Sequence, residues 1–209
     1  MNRLHHWYCN REAWKRHVRE ELVPPAIAEI ELGDDVLEVG PGFGPATEVL
    51  ARRAGRLTAL EIDPVLAAPL RERLAGRARV VGGDATDMPF PDGDRRLAGT
   101  ARSPVGFSAA VCFTMLHHVP SEEAQDRLFA EVHRVLRPGA PFAGTDSTGR
   151  GLGFALLHIG DTRVVIDPEE LPGRLRAAGF EHVDVTAERD SFRFRARRPQ
   201  ETIDTIEKV

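Results

Sequence analysis

Residues 36–44 read Val-Leu-Glu-Val-Gly-Pro-Gly-Phe-Gly, and the fold is read outward from them. Val36, Leu37 and Val39 form an apolar run of the kind a parallel strand shows when both its faces are covered. The run carries Glu38 and ends in glycines at alternate positions, Gly40, Gly42 and Gly44. Behind them, residues 45–54 read as a helix with Val49, Leu50 and Ala54 on its apolar face. Strand, glycine turn and helix in this order are how open α/β folds hold a nucleotide-like ligand. Glycines let the backbone turn sharply and approach the ligand with no Cβ between. A dinucleotide fingerprint, Gly-x-Gly-x-x-Gly, needs a third glycine where this chain has Pro45, which weakens a pyrophosphate reading.

The same alternation continues on both sides. Strands are predicted at 57–62, 79–81, 109–116 and 141–145, with helices over 64–74, 121–136 and 168–178. Pro64 suits a first helical turn, Ser121 in Ser-Glu-Glu-Ala suits an N-cap, and Gly179 suits a C′ position. Two last strands, at 182–186 and 191–197, have no helix between them and form an antiparallel hairpin. The expected architecture is α/β: Rossmann-like and doubly wound, a mostly parallel seven-stranded sheet with an antiparallel C-terminal hairpin strand. Residues 1–30 read as an N-terminal helical cap, interrupted or restarted at Pro24-Pro25. Residues 31–200 form the main domain, compact with the cap, and residues 201–209 a tail. The stretch 92–107 lacks periodicity, and its small and polar residues predict a mobile insertion before the fourth strand.

The chain has 209 residues, 42% hydrophobic and 29% charged, with a formal net charge of −4. That balance is globular and argues against general nucleic-acid binding, which needs a basic surface. Cys9 and Cys112 make no disulfide framework, and Cys112 reads as a small core residue. No apolar stretch approaches the roughly 20 residues of a spanning helix, and the chain's start has no signal-peptide h-region. A cytoplasmic location is expected. The sequence sets no oligomeric state.

An acid just before Gly-x-Gly-x-Gly resembles motif I of the class I S-adenosylmethionine (AdoMet)-dependent methyltransferases. Further pieces agree at the expected intervals: Glu61 ending the second strand, Gly-Asp-Ala-Thr-Asp-Met-Pro-Phe at 83–90, Met-Leu-His-His-Val at 115–119, and Arg-Val-Leu-Arg-Pro-Gly at 134–139. As a set, over residues 34–146, they resemble the ubiquinone/menaquinone C-methyltransferase-like small-molecule enzymes. The resemblance implies AdoMet as cofactor, S-adenosylhomocysteine as product, and methyl transfer to a small-molecule or lipidic acceptor by in-line displacement. It carries Glu38, Gly40, Pro41, Gly42, Glu61, Ile62, Asp84, Ala85, Phe113 and Thr114 over as cofactor contacts. Glu61 would accept from the ribose hydroxyls and Asp84 from the adenine amine, with Ala85 offering its amide to the ring. Asp63, before Pro64, reads as an N-cap. The chain departs from the pattern at the 92–107 insertion and at Ser108, where the family usually has Asp.

Several methylated classes are disfavoured. Glu61-Ile62-Asp63 is similar to the ribosomal-RNA adenine dimethylases, but Phe113-Thr114-Met115-Leu116 replaces their Asn-x-Pro-aromatic motif. Lysines stand only at 15 and 208, so the Lys-Asp-Lys-Glu arrangement of ribose 2′-O methylation is excluded. A non-catalytic AdoMet-fold binding protein, or another nucleotide-dependent enzyme on the same scaffold, stays open as an alternative.

His117 and His118 read either as a general base at the pocket mouth or as packing residues. Neighbours on a strand point to opposite faces, and no Cys or acidic cluster stands around them at ligand spacing, so no metal is expected. Trp7 and Tyr8 read either as a core staple or as contacts of a lid that folds over cofactor and substrate. Phe192-Arg193-Phe194-Arg195-Ala196-Arg197 alternates with period two, as a half-buried edge strand with a solvated arginine face.

Overall fold

The computed structural model describes residues 2–93, 105–150 and 152–200. Its strands are β1 (Asp35–Val39), β2 (Arg56–Glu61), β3 (Arg79–Gly82), β4 (Ala109–Phe113), β5 (Pro141–Ser147), β6 (Glu181–Ala187) and β7 (Ser191–Arg197). They form one seven-stranded sheet in the order β3-β2-β1-β4-β5-β7-β6. Pairs among β1 to β5 are parallel, and β7 runs antiparallel to both β5 and β6. This is the doubly wound α/β architecture expected. From β1 the chain winds outward to β2 and β3, then crosses back to place β4 on the other side. Ligands gather at such a switch point, beyond the carboxyl ends of β1 and β4.

Side chains alternate across β1 and β4, and the helices divide accordingly. Leu37, Val39, Ala110 and Cys112 share a core with Leu128, Phe129 and Val132 of α6 (Glu122–Val135). Those α6 residues recur at helical spacing, so one stripe of the helix is apolar. Val36, Val111 and Phe113 face the opposite side. They pack with Leu50 of α4 (Pro45–Leu50) and with Val23, Ala26 and Ile27 of α3 (Val23–Ile27). The N-terminal segment is therefore part of the core. It comprises α1 (Arg3–Cys9), α2 (Glu12–His17), one π turn (Val18–Leu22) and α3, and Pro24-Pro25 lies in the first turn of α3.

The caps follow the sequence. Asp63 accepts from the Val65 amide (2.8 Å) at the start of α5 (Pro64–Arg73), and the Ser121 hydroxyl accepts from the Ala124 amide (3.1 Å). Ser108, one of the departures from the resembled pattern, joins the sheet: its hydroxyl accepts from the Asp35 amide (2.8 Å) and donates to the Leu32 carbonyl (2.6 Å).

Three expectations are corrected. The fourth strand stops at Phe113, because Thr114 takes a left-handed backbone conformation (φ 52°) and Leu116–His118 form a 3₁₀ turn. The 191–197 strand is interior, with β6 as the edge. Phe192, Phe194 and Ala196 bury one face, while on the other Arg195 pairs with Asp184 and with Glu29 beyond α3. A short helix, α7 (Leu152–Leu157), lies between β5 and α8 (Leu171–Ala177), where no element was expected. Of the predicted insertion, residues 94–104 lie outside the described residues, as does the 201–209 tail. No helix among the described residues is long and apolar enough to cross a membrane.

Candidate active site

Beyond the carboxyl ends of β1, β2, β3 and β4 lies a cavity of about 510 Å³. All ten residues expected to hold a cofactor line it, from Glu38 on β1 to Thr114 after β4. Gly40 and Gly42 both adopt positive φ (67° and 54°). A Cβ at Gly40 would press on the Met115 side chain at 3.0 Å, whereas one at Gly42 would meet no protein atom within 4 Å. The Gly42 backbone thus faces open cavity, a cradle that any side chain would fill.

Glu61 holds this turn in shape. One carboxylate oxygen accepts from the Gly42 amide (2.9 Å) and the other from the Asp63 amide (3.0 Å). The side chain is only 5% exposed, and burial raises its pKa against the pull of those two amides. Each oxygen keeps a second lone pair for a ligand hydroxyl. Next to it Glu38 is 1% exposed, and one of its oxygens has no hydrogen-bond partner among the described residues. Burial pushes the Glu38 carboxyl up to about 8, with the Thr47 hydroxyl opposing and Glu61 adding to the rise. An orphaned buried acid of this kind is held ready for a cationic or donor group.

On the β2 and β3 side, Ile62 is 67% exposed and lines the cavity, a flat apolar wall suited to an aromatic ring. One Asp84 oxygen accepts from the Thr86 amide (2.8 Å) and hydroxyl (2.9 Å), in a turn that presents Ala85 to the cavity. Thr114 is β-branched, so its positive φ marks real backbone strain at the end of β4. Its amide is held by the Thr145 carbonyl (2.8 Å).

The two histidines separate. His117 is buried, hydrogen-bonds the Asp146 carboxylate through Nδ1, and does not line the cavity. His118 does line it, but burial first, and then His117, His5 and His158 beside it, push its pKa down to about 2. That shift works against His118 as a general base, and His117 stands outside the cavity.

The N-terminal segment does reach the cavity, through Cys9, Trp14 and Val18. Trp7 is 55% exposed under the Arg11 guanidinium (4.6 Å from the ring centroid), and Tyr8 packs on Trp14 (5.4 Å between centroids). Neither Trp7 nor Tyr8 lines the cavity. Trp14 stands on α2, beyond the turn at Asn10-Arg11 that ends α1, and its aromatic character in a chain segment read as covering was the available signal for it. The segment also grips the glycine turn: the His6 ring meets Phe43 edge-on at 4.7 Å, and Lys15 Nζ lies 5.6 Å from the Phe43 centroid.

Residues 37–143 match the family model described as a methyltransferase domain. A curated relative, the ribosomal RNA small subunit methyltransferase A of Moorella thermoacetica, is 51% identical over 74 residues, 34% of this chain. The match spans 25% of that relative's length. Among solved structures, a SAM-dependent methyltransferase from Aquifex aeolicus superposes with a TM-score of 0.70 at 16% identity, covering 94% of this chain and 98% of that one. The cyclase SpnF superposes with a TM-score of 0.65 at 23% identity, covering 91% and 83%. These likenesses show a shared fold.

Proposed function

The chain belongs to the methyltransferase-domain family, and on that premise we propose that it transfers the methyl group of AdoMet to a small-molecule or lipidic acceptor by in-line displacement. The observation that carries the reading is the convergence of ten motif residues, from the ends of four strands, on one cavity. Its chemistry fits AdoMet: an acid with free lone pairs at Glu61, an orphaned buried acid at Glu38, an open cradle at Gly42 and an apolar wall at Ile62. When bound, AdoMet supplies a methyl group already activated by its sulfonium. Glu61 then accepts from the ribose hydroxyls, Asp84 and the Ala85 amide hold the adenine edge, and Ile62 covers its face. Glu38 would receive the ammonium of the amino-acid tail beside Gly40 and Thr114. Positioning and exclusion of water by Trp14 and Val18 are what this chain contributes, and no side chain is assigned to take up the proton that the acceptor gives off.

A net charge of −4 and a cavity covered by the N-terminal segment favour a small acceptor. A cytoplasmic setting belongs to the same reading. A second reading, an RNA acceptor, draws on the Moorella relative's name. The two separate on release of S-adenosylhomocysteine when AdoMet is incubated with a small-molecule and lipid extract or with total RNA. Release with the extract alone is expected. Release with RNA alone would move the acceptor class to nucleic acid. Binding of AdoMet without release in either arm would favour a binder or a different reaction on this scaffold, as the fold of SpnF allows.

A further inference from the structure

Where His118 lines the cavity, histidines from three distant parts of the chain meet. His5 comes from α1, His118 from the turn after β4, and His158 from just beyond α7. Their rings are neighbours: the centroids of His5 and His158 lie 4.3 Å apart, those of His5 and His118 4.9 Å, and those of His118 and His158 5.4 Å. One nitrogen from each lies within 4.8 Å of the other two.

The hydrogen bonds around the cluster turn its lone pairs inward. His158 donates from Nδ1 to the Phe154 carbonyl (2.7 Å), which leaves Nε2 as the unprotonated nitrogen. That Nε2 is buried without a partner, in a side chain whose residue is only 7% exposed. His5 donates from Nδ1 to the Asp161 carboxylate (2.9 Å), again leaving Nε2 as the lone-pair nitrogen. A backbone carbonyl behind one imidazole and a carboxylate behind another are the outer-shell partners that fix tautomer and ring orientation in metal sites. A cluster kept only for packing has no need of a buried, unpaired nitrogen.

We propose that His5, His118 and His158 form a binding site for a divalent transition-metal ion, zinc in the first instance, that clips the N-terminal segment over the cavity. Three neutral nitrogen donors suit zinc, and a fourth position is left for water or a ligand. Tetrahedral zinc at about 2.0–2.1 Å from each nitrogen needs them roughly 3.3 Å apart, so the rings draw together by a small side-chain movement on loading. The expectation of no metal rested on His117 and His118 as strand neighbours and on the lack of a Cys or acidic cluster at ligand spacing around them. They stand instead on a 3₁₀ turn, and the partners of His118 are two histidines remote in sequence. Tying α1 to the body at this point also fixes the helix that carries Cys9 to the cavity wall.

The test uses the full chain, stripped with chelator and titrated with Zn²⁺ against a chromophoric competitor and with Co²⁺ by visible absorption. One ion per chain is expected, with an intense tetrahedral Co²⁺ spectrum. At a hundredfold excess over Kd, Zn²⁺ should raise the Tm by roughly 5–10 °C. His158→Ala and His5→Ala should each weaken binding by at least about a hundredfold, and Asp161→Asn by roughly ten- to a hundredfold. His182→Ala, at an exposed position, should leave it unchanged. Where one variant fails to fold, the others carry the same test. Absence of Zn²⁺ and Co²⁺ binding in the wild type, or binding unchanged in His5→Ala and Asp161→Asn, overturns the proposal. None of these readouts uses AdoMet or an acceptor, so failure here and failure of the methyltransferase reading are separable.

Discussion

Replacing Glu61 perturbs the one side chain that both shapes the glycine turn and faces the ligand. Its carboxylate accepts from the amides of Gly42 (2.9 Å) and Asp63 (3.0 Å) in a nearly closed environment. The remaining lone pairs are assigned to the ribose hydroxyls. Losing one charged acceptor to the ligand costs about 1.5–3 kcal/mol, which is a roughly ten- to hundredfold weaker AdoMet. The free protein should suffer less. Removing Glu61 frees two amides at a cavity wall where water reaches them, and it also removes an acid whose pKa burial already raises. A net loss of about 1–2 kcal/mol would lower the Tm by a few degrees and leave the melt cooperative. Glu61→Gln separates these effects. It keeps the shape, but its amide nitrogen must face the N–H of either Gly42 or Asp63, so it should weaken AdoMet about as much as Glu61→Ala. Isothermal calorimetry beside thermal melts reads both quantities. A Kd within twofold of wild type in both variants, with cooperative melts, refutes the assignment of Glu61.

Other consequences follow from the same geometry. Glu38 has a folded pKa near 8 against an ordinary 4.5, so its contribution to free-protein stability is full below about pH 4.5 and is lost as pH rises through 8. Glu61, also raised, acts in the same direction. Glu38→Gln should therefore flatten the fall in Tm between pH 5 and 8, and an unchanged pH profile would contradict the burial argument. Trp14→Ala opens the covered wall and should raise acceptor KM with AdoMet affinity largely kept, while exposed Trp7 tolerates alanine within about 0.5 kcal/mol in melts. Removing residues 1–12 takes away the His6 contact with Phe43 and the Cys9 wall; turnover should be lost while most AdoMet affinity stays, and full activity would refute the covering role. The insertion is anchored at its roots: the Gly93 amide donates to the Arg134 carbonyl (2.7 Å) and the Phe107 amide to the Val135 carbonyl (3.0 Å). Joining Gly93 to Val105 by a short glycine linker should keep the Tm within a few degrees, and collapse of the melt would show that residues 94–104 carry structure.

Much of this arrangement was legible in the residues. Val36 to Gly44 announced a buried strand and a ligand turn, and Asp63, Ser121 and Gly179 marked helix ends where the structure has them. Those features are local, set by side-chain period and backbone conformation. The misreadings arose where tertiary contacts decide. Nothing local distinguishes Thr114 as a left-handed residue; its amide is fixed by Thr145 of β5. Alternating Phe192 to Arg197 looked like an edge because charged side chains usually face solvent, yet Asp184 and Glu29 supply partners that only the fold brings near. The histidine cluster was illegible for the same reason, since its members stand at positions 5, 118 and 158. The choice of Trp14 over Trp7 depends on how α1 and α2 pack.

The central claim is that the glycine turn after β1 cradles AdoMet, and calorimetric titration of AdoMet into wild type and Gly42→Val tests it most directly. A Cβ at Gly42 meets no protein atom within 4 Å, so valine clashes with nothing while filling the space meant for the ligand; as a β-branched residue at positive φ it carries backbone strain of about 1–3 kcal/mol, which the melt reads separately. One AdoMet per wild-type chain is predicted, with binding lost in the variant and a cooperative melt retained. Equal affinity in the two proteins, or no binding to the wild type, would contradict the account.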